Sequence, residues 1–282
     1  SMYKGFWRKF DTEHNFAEGA GQGLKAALFF GAAKEVEFRV ALSGVSIEGA
    51  LANLAAEAPS PGFEKYANAA QKEWSDAFAL VKDVTFLHQD DALTFYTAWY
   101  HSLIGSSVFM DVDSSYRGLD QRIHKAEGFT NYTTFSLWDT YRANHPLFTI
   151  IDQKRTGAFV RTFLRQYEQG GDLPVWELAG CETECMIGYH SVSVISDAYL
   201  KGIRDFDAKL ALKAMVSTAK ADEFGKIAYA KNGLISLEAV FLTASFYLSF
   251  FLALVRFSRS TSVRLAYERR SLGGWLGLSR SK

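Results

Sequence analysis

The stretch FEKYANAAQKEWSDAFALV, residues 63–81, places Phe63, Tyr66, Ala70, Trp74, Phe78 and Val81 on one stripe, a spacing that only an amphipathic helix satisfies. The same logic recurs downstream. After Asp90, a candidate cap, Leu93, Phe95, Tyr96, Trp99, Tyr100, Leu103 and Ile104 fall along a broad face. Further helical patterns run through 137–150, 153–169, 187–202 and 207–221. SIEGALANLAAEA, from Ser46, is helical by its alanine and leucine content, with Ser46 an imperfect cap three residues before Gly49. The region before it reads differently: VEFRVAL, from Val36, alternates at period two as a half-buried strand does, and LKAALFF, from Leu24, is its expected partner. VTFLHQ at 84–89 fits a short strand or an extended link. Residues 109–136 keep no period, and a loop that long inside a domain normally has a function. The expectation is a mainly α chain, strands first and successive helices after, as in a helical toroid or barrel with its chemistry at one rim.

Charge narrows the function classes. Thirty-one basic and thirty-one acidic residues cancel, so no global field draws the chain to nucleic acid. Cys181 and Cys185 make no disulfide framework, and two thiols four apart are a weak metal signal. The opening SMYKGFWRKF lacks the apolar centre of a secretory signal. Aromatic residues make up 15% of the chain, which suits stacking on flat faces such as sugar rings and equally suits a large helical core.

Titratable groups concentrate in PVWELAGCETECMIGYHS, where Glu177 and Glu182 sit among Trp176, Tyr189 and His190. Hydrolysis of a glycosidic bond needs an acid to protonate the departing oxygen, and a glutamate among aromatic side chains is suited to hold that proton. Inversion at the anomeric carbon needs a second carboxyl group roughly 6.5–9.5 Å away. Both glutamates meet the type requirement and spacing does not choose between them, since Gly180 is expected to break regular structure. Tyr189 and His190 are placed to orient a sugar or to support the acid. Upstream, helical spacing puts Trp138, Arg142 and His145 on one side, next to Asp139, as a platform with polar donors. Asp111 and Asp113 lack the glycine and closing glutamate of a calcium loop.

Several long segments in order, YRGLDQRIH (116–124), EGFTNYTTFSLWDTYRANHPL (127–147), YEQGGDLPVWELAGCETECMIGYH (167–190) and DAYLKGIRDFD (197–207), resemble the glycoside hydrolase family 92 alpha-mannosidases. The resemblance runs from about residue 10 to 237. It implies the end of an N-terminal beta-sandwich over residues 1–45, then a partial (alpha/alpha)6 barrel over 46–238. It also implies a calcium-dependent, inverting, exo-acting enzyme, secreted or periplasmic, that takes mannose from alpha-linked oligosaccharides, alpha-1,2 links first among them. The family's general acid, the glutamate of its Asn-Glu-Thr motif, falls on Glu182; Glu177 is the fallback, as a catalytic, sugar-site or metal-site residue. Trp138, Asp139, Arg142, His145, Trp176, Tyr189 and His190 are the expected sugar-binding set, and the calcium ligands are left unassigned. Cys181 departs from the family's asparagine.

Past Leu237 the resemblance stops, and with it the family's remaining barrel and the aspartates that serve as base. AVFLTASFYLSFFLALV (239–255) carries no charge, and the residues after it hold seven basic side chains and one acidic, Glu268. Three readings stand for 239–282: a buried helix, a membrane anchor and a reading-frame change. The chain is accordingly expected to be an inactive piece of a mannosidase. Its alternative is a non-catalytic, mannoside-binding helical domain, tethered to a membrane through 239–255.

Overall fold

The computed structural model describes residues 31–81, 84–221 and 231–233. It divides the chain into two units, Ser1–Phe38 and Arg39–Lys282. In the first, residues 31–38 hold a turn and a bend with no helix or strand.

The second unit begins with helices α1 (Ile47–Glu57), α2 (Phe63–Phe78) and α3 (Gln89–Ile104). Strands β1 (Ser107–Val108), β2 (Ser115–Arg117), β3 (Ile123–Lys125), β4 (Tyr132–Thr133) and β5 (Phe135–Ser136) follow, and helices α4 (Leu137–Thr140), α5 (Asn144–Ile151) and α6 (Gln153–Gly170). Then come β6 (Trp176–Leu178), β7 (Cys181–Glu182), α7 (His190–Leu200) and α8 (Ala208–Lys220). The strands form small antiparallel sheets that do not close: β1 with β4, β2 with β3, and β5–β6–β7. The architecture is mainly helical, with the sheets inserted between helices, as in part of an (alpha/alpha) barrel.

Local chemistry explains the helix starts. Ser46 caps α1, its hydroxyl accepting the Gly49 amide at 3.0 Å, so the three-residue interval is the proper one from cap to third helical amide. Asp152 and Asp207 cap α6 and α8 in the same manner. Asp90 does not cap α3. His88 holds that position without a side-chain bond, and Asp90 and Asp91 lie within the first turn, where the helix dipole favours negative charge.

The core centres on α6. Phe159, Val160, Phe163 and Leu164 are buried together with Leu137, Phe148, Val194, Ile195, Ala198, Ala211 and Ala214 from the helices around it. Phe135, on β5, meets Phe159 and Phe163 edge-on at 5.4 and 4.7 Å, so the three-stranded sheet is anchored directly to α6. The α2 stripe meets α3 only in its second half: Trp74 packs on Tyr100 and Phe78 on Tyr96, while Phe63 is 72% exposed. Asn53 on α1 reaches the aperiodic region, donating to the buried Asp111 at 2.8 Å and accepting the Val112 amide at 2.9 Å.

Three expectations change. VEFRVAL is not a strand: residues 36–42 have no regular structure, with Val40 80% and Leu42 85% exposed. Alternation defines the face a strand would bury, but the ladder that makes a strand comes from a neighbour the segment itself does not encode. The pattern at 137–150 is two helices, α4 and α5, broken by turn residues 141–143. Residues 109–136 are an ordered set of short strands, none longer than three residues, too short for any period to register. LKAALFF and the 239–255 run lie outside the described residues, and 84–88 is a link. No helix among the described residues is long and apolar enough to cross a membrane.

Because Phe163 is fully buried, Phe163→Ala is expected to lower the unfolding free energy by about 3–5 kcal/mol. Leu87→Ala, at a side chain 92% exposed, changes it by less than about 0.5 kcal/mol. Urea denaturation of the two variants checks both.

Candidate active site

The sequence WELAGCE is a β-hairpin with a two-residue turn. Leu178 pairs with Cys181 and Glu177 with Glu182, leaving Ala179 and Gly180 at the tip. Both have positive φ, 50° and 77°, as a type I′ turn requires and as the right-handed strand twist favours. Glycine is also needed at 180 for space, because a Cβ there would stand 2.9 Å from the Arg117 carbonyl. Gln121 braces the tip by donating to the Gly180 carbonyl at 2.7 Å.

Glu177 is sealed beneath this hairpin, 1% exposed. Its Oε1 accepts the Gly180 amide at 2.7 Å and its Oε2 the Thr134 amide at 3.1 Å. The Thr133 hydroxyl lies 3.0 and 3.1 Å from the two oxygens and itself accepts the Ala179 amide at 2.5 Å. Burial pushes the Glu177 carboxyl up to about 7, against these donors, which pull the other way, and the neighbouring Glu182 adds to the rise.

Glu182, directly opposite, is half-buried and held differently. Oε1 accepts the amides of Trp176 and Glu184 at 2.9 and 3.0 Å, and Oε2 accepts that of Val175 at 2.9 Å. Oε2, with one amide, has the greater remaining hydrogen-bonding capacity.

β5 runs straight into α4, and its Ser136 pairs with Trp176. The Ser136 hydroxyl donates to Asp139. Two residues into α4, Trp138 stands edge-on to His190 at 5.1 Å, and Tyr141 lies 4.3 Å from that ring. Arg142 donates to the Tyr141 hydroxyl at 2.8 Å and lies over its ring. His190 opens α7 after Gly188, where a Cβ would come 2.6 Å from the imidazole, so the glycine makes room for the ring. Its imidazole is lowered from the usual histidine range by burial and by the Arg142 charge.

The structure therefore brings Trp138, Arg142 and His190 together, and joins Asp139, Trp176 and Glu182 to them through one sheet; Tyr189 immediately precedes His190 at the start of α7. His145 stands apart. The break at 141–143 turns it into the core, 3% exposed, against Phe159 and Phe163 at 5.6 and 6.3 Å. Burial alone lowers its pKa to about 4. Sequence reading did not find Thr133, Thr134 or Gln121, which lie 44, 43 and 59 positions from the groups they bind. The Ala-Gly pair between two short strand-like runs is the signal that would have found the hairpin. Among the described residues no group of three or more His, Cys, Asp or Glu could hold a metal ion. Two surface clefts, of about 600 and 430 Å³, are lined by none of these site residues.

Glu177 and His145 give opposite pH dependences. Glu177 keeps its proton in the fold up to about 7 but releases it near 4.5 when unfolded, so its contribution is present below 4.5 and is lost as pH rises to 7. His145 stays neutral in the fold down to about 4 but takes a proton near 6.5 when unfolded, so its contribution is lost as pH falls through that window. Each is worth about 3 kcal/mol. Urea titrations should show Glu177→Gln closing on the wild type in stability from pH 4.5 to 7, and His145→Phe closing on it from pH 6.5 down to 4. A gap that stays constant with pH contradicts the assignment.

The sequence matches the model of the glycosyl hydrolase family 92 catalytic domain over residues 49–265, so the resemblance does not stop at Leu237 as expected but takes in the 239–255 run. A family GH92 alpha-mannosidase from Bacteroides thetaiotaomicron, solved alone and with mannoimidazole, is 38% identical with a TM-score of 0.62. The alignment covers 66% of this chain and 25% of that one. A GH92 inverting mannosidase from the same organism is 29% identical over 69% of this chain and 28% of its own, with a TM-score of 0.63. No curated protein sequence matches. The chain thus spans about a quarter of the length of the solved structures it resembles. Because that family match extends over most of the sequence, the chain belongs to the glycosyl hydrolase family 92 catalytic-domain family.

Proposed function

We propose that this region supplies the proton donor and part of the sugar-binding shelf of an exo-acting, inverting alpha-mannosidase, and that Glu182 is the donor. The observation that carries the reading is the pair of carboxyl environments on one hairpin. Glu177 holds its proton up to about 7, but it is closed to solvent and to any substrate. Geometry ranks before proton affinity, because the acid must reach the departing oxygen. Glu182 is within reach of solvent, and its Oε2, with one amide, is the atom from which a proton is delivered. The amides on Oε1 then hold the carboxylate that remains.

Trp138 and Trp176 offer ring faces to a hexose, while Asp139, Arg142, Tyr189 and His190 offer polar atoms for its hydroxyls. His145 acts from the core, keeping α5 against α6. Alpha-1,2-linked mannosides are the first substrates to try, with N-glycan mannans as the natural class, outside the cytoplasm. The described residues gather no cluster of three or more His, Cys, Asp or Glu, so calcium enters only as the family's cofactor and the proton transfer is assigned to Glu182 alone. Water attack from the opposite face needs a base exposed to that water, a role the sealed Glu177 does not meet.

The quarter-length coverage of the solved relatives favours one second reading, a mannoside-binding domain without turnover of its own. Two measurements on the chain separate them: calorimetric titration with mannoimidazole, and mannose release from alpha-1,2-mannobiose with calcium or chelator. The proposal predicts that Glu182→Gln lowers release by about 10²-fold or more, and that Trp138→Ala weakens mannoimidazole binding about tenfold. Binding without release, with or without calcium, supports the binding domain. Release that survives Glu182→Gln overturns the donor assignment, and the absence of both binding and release contradicts both readings.

A further inference from the structure

We propose that Glu177 is the positioning residue for Glu182: from a site closed to solvent, its carboxyl group ties down both tip amides of the 179–180 turn, one directly and one through Thr133, and so fixes the strand that carries the donor. The inference rests on the reading of Glu182 given above and deepens it.

Three observations converge. First, the tip is strained where it needs help. Ala179 adopts a φ of 50°, a region unfavourable for a residue with a Cβ, and the turn has no second glycine to relieve it. Secondly, successive amides at a turn of positive φ form a concave donor pair that favours an anion or a strong acceptor. Here that acceptor is internal: Gly180 N–H donates to Glu177 Oε1, and Ala179 N–H donates to Thr133 Oγ1, which is bonded to the same carboxyl group. Thirdly, the clasp ties the hairpin to the rest of the sheet. Thr133 ends β4, and the Thr134 amide, between β4 and β5, binds Oε2. β5 pairs with β6 on one side while β7 pairs on the other, so Glu177 sits at the middle of the row Phe135–Glu177–Glu182.

The consequence for Glu182 is geometric. Its carboxyl oxygens are held by the amides of Val175, Trp176 and Glu184, all on the two arms of the same hairpin. Those arms keep their spacing only while the tip stays closed. None of the three amides touches Glu177 or Thr133, so any effect on them travels through the hairpin.

Amide hydrogen exchange on the intact chain, resolved by NMR, tests this without reference to turnover. In Glu177→Ala, exchange at Val175, Trp176 and Glu184 is expected to rise about tenfold or more together with Ala179 and Gly180, while Phe163 and Leu164 in α6 stay at the wild-type rate. If Glu177→Ala does not fold, Thr133→Val, which removes the bridging hydroxyl, is expected to give a smaller rise at the same five amides. Thr133→Ser, which restores the hydroxyl, returns them to the wild-type rate. Acceleration confined to Ala179 and Gly180 overturns the proposal, since the tip would then open without moving the groups that hold Glu182. Acceleration shared equally by α6 overturns it too, because Glu177 would then be a general stabiliser. Loss of release in Glu182→Gln is a separate readout, so the two ideas fail independently.

Discussion

A single carboxyl group, buried beneath a two-residue turn, clasps the hairpin that carries Glu182. Glu177 is among the largest fully buried side chains, in the company of Phe135, Phe159 and Phe163. Burying a carboxyl group costs free energy unless it is satisfied, and this one is satisfied from three directions: the turn tip, the Thr133 hydroxyl and the Thr134 amide. Desolvation still outweighs those donors and leaves the group protonated through the acid range. The same competition acts on His145, with the opposite charge. It sits against aromatic rings and stays neutral because charging it there would cost more than in water.

Around that clasp the fold is layered by reach. α6 supplies the apolar ground, Phe135 pins the sheet to it, and the sheet presents Glu182 on one arm and Trp176 on the other. α4 follows β5 without a gap, so Trp138 and Asp139 arrive beside the sheet by chain continuity, and α7 brings His190 to meet Trp138. Glu182 and the aromatic side chains beside it are thus set by five elements, β5, β6, β7, α4 and α7, whose positions depend on one another. Replacing a core residue of α6 loosens the whole unit, whereas altering the clasp is a change to the hairpin.

Much of this is legible in the sequence, for definite reasons. Helices α2, α6, α7 and α8 end within a few residues of where their periodicity ends, and α1 ends where its run of alanine and leucine does. The order of the motifs points to family 92 by itself, and the match over 49–265 agrees. Two kinds of information are not local. The helix break at 141–143 separates His145 from Trp138 and Arg142, although their spacing suits a single face; continuous helical periodicity runs through a turn as readily as through a helix. The surroundings of Glu177 and Glu182 cannot be told apart from spacing, because the difference lies in Thr133 and Thr134, more than forty positions upstream. VEFRVAL misleads for a similar reason: a strand is a relation between segments, and alternation describes one of them.

The most direct measurement of the account is a titration of the Glu177 carboxyl carbon by NMR in selectively labelled protein, followed from pH 3 to pH 9. A buried clasp predicts one transition near 7, with the Gly180 and Thr134 amide protons shifting in step because they share its oxygens. A transition near 4.5, the value of a solvated glutamate, with those amides unmoved, would mean that the carboxyl is not held beneath the turn and that the central claim is wrong.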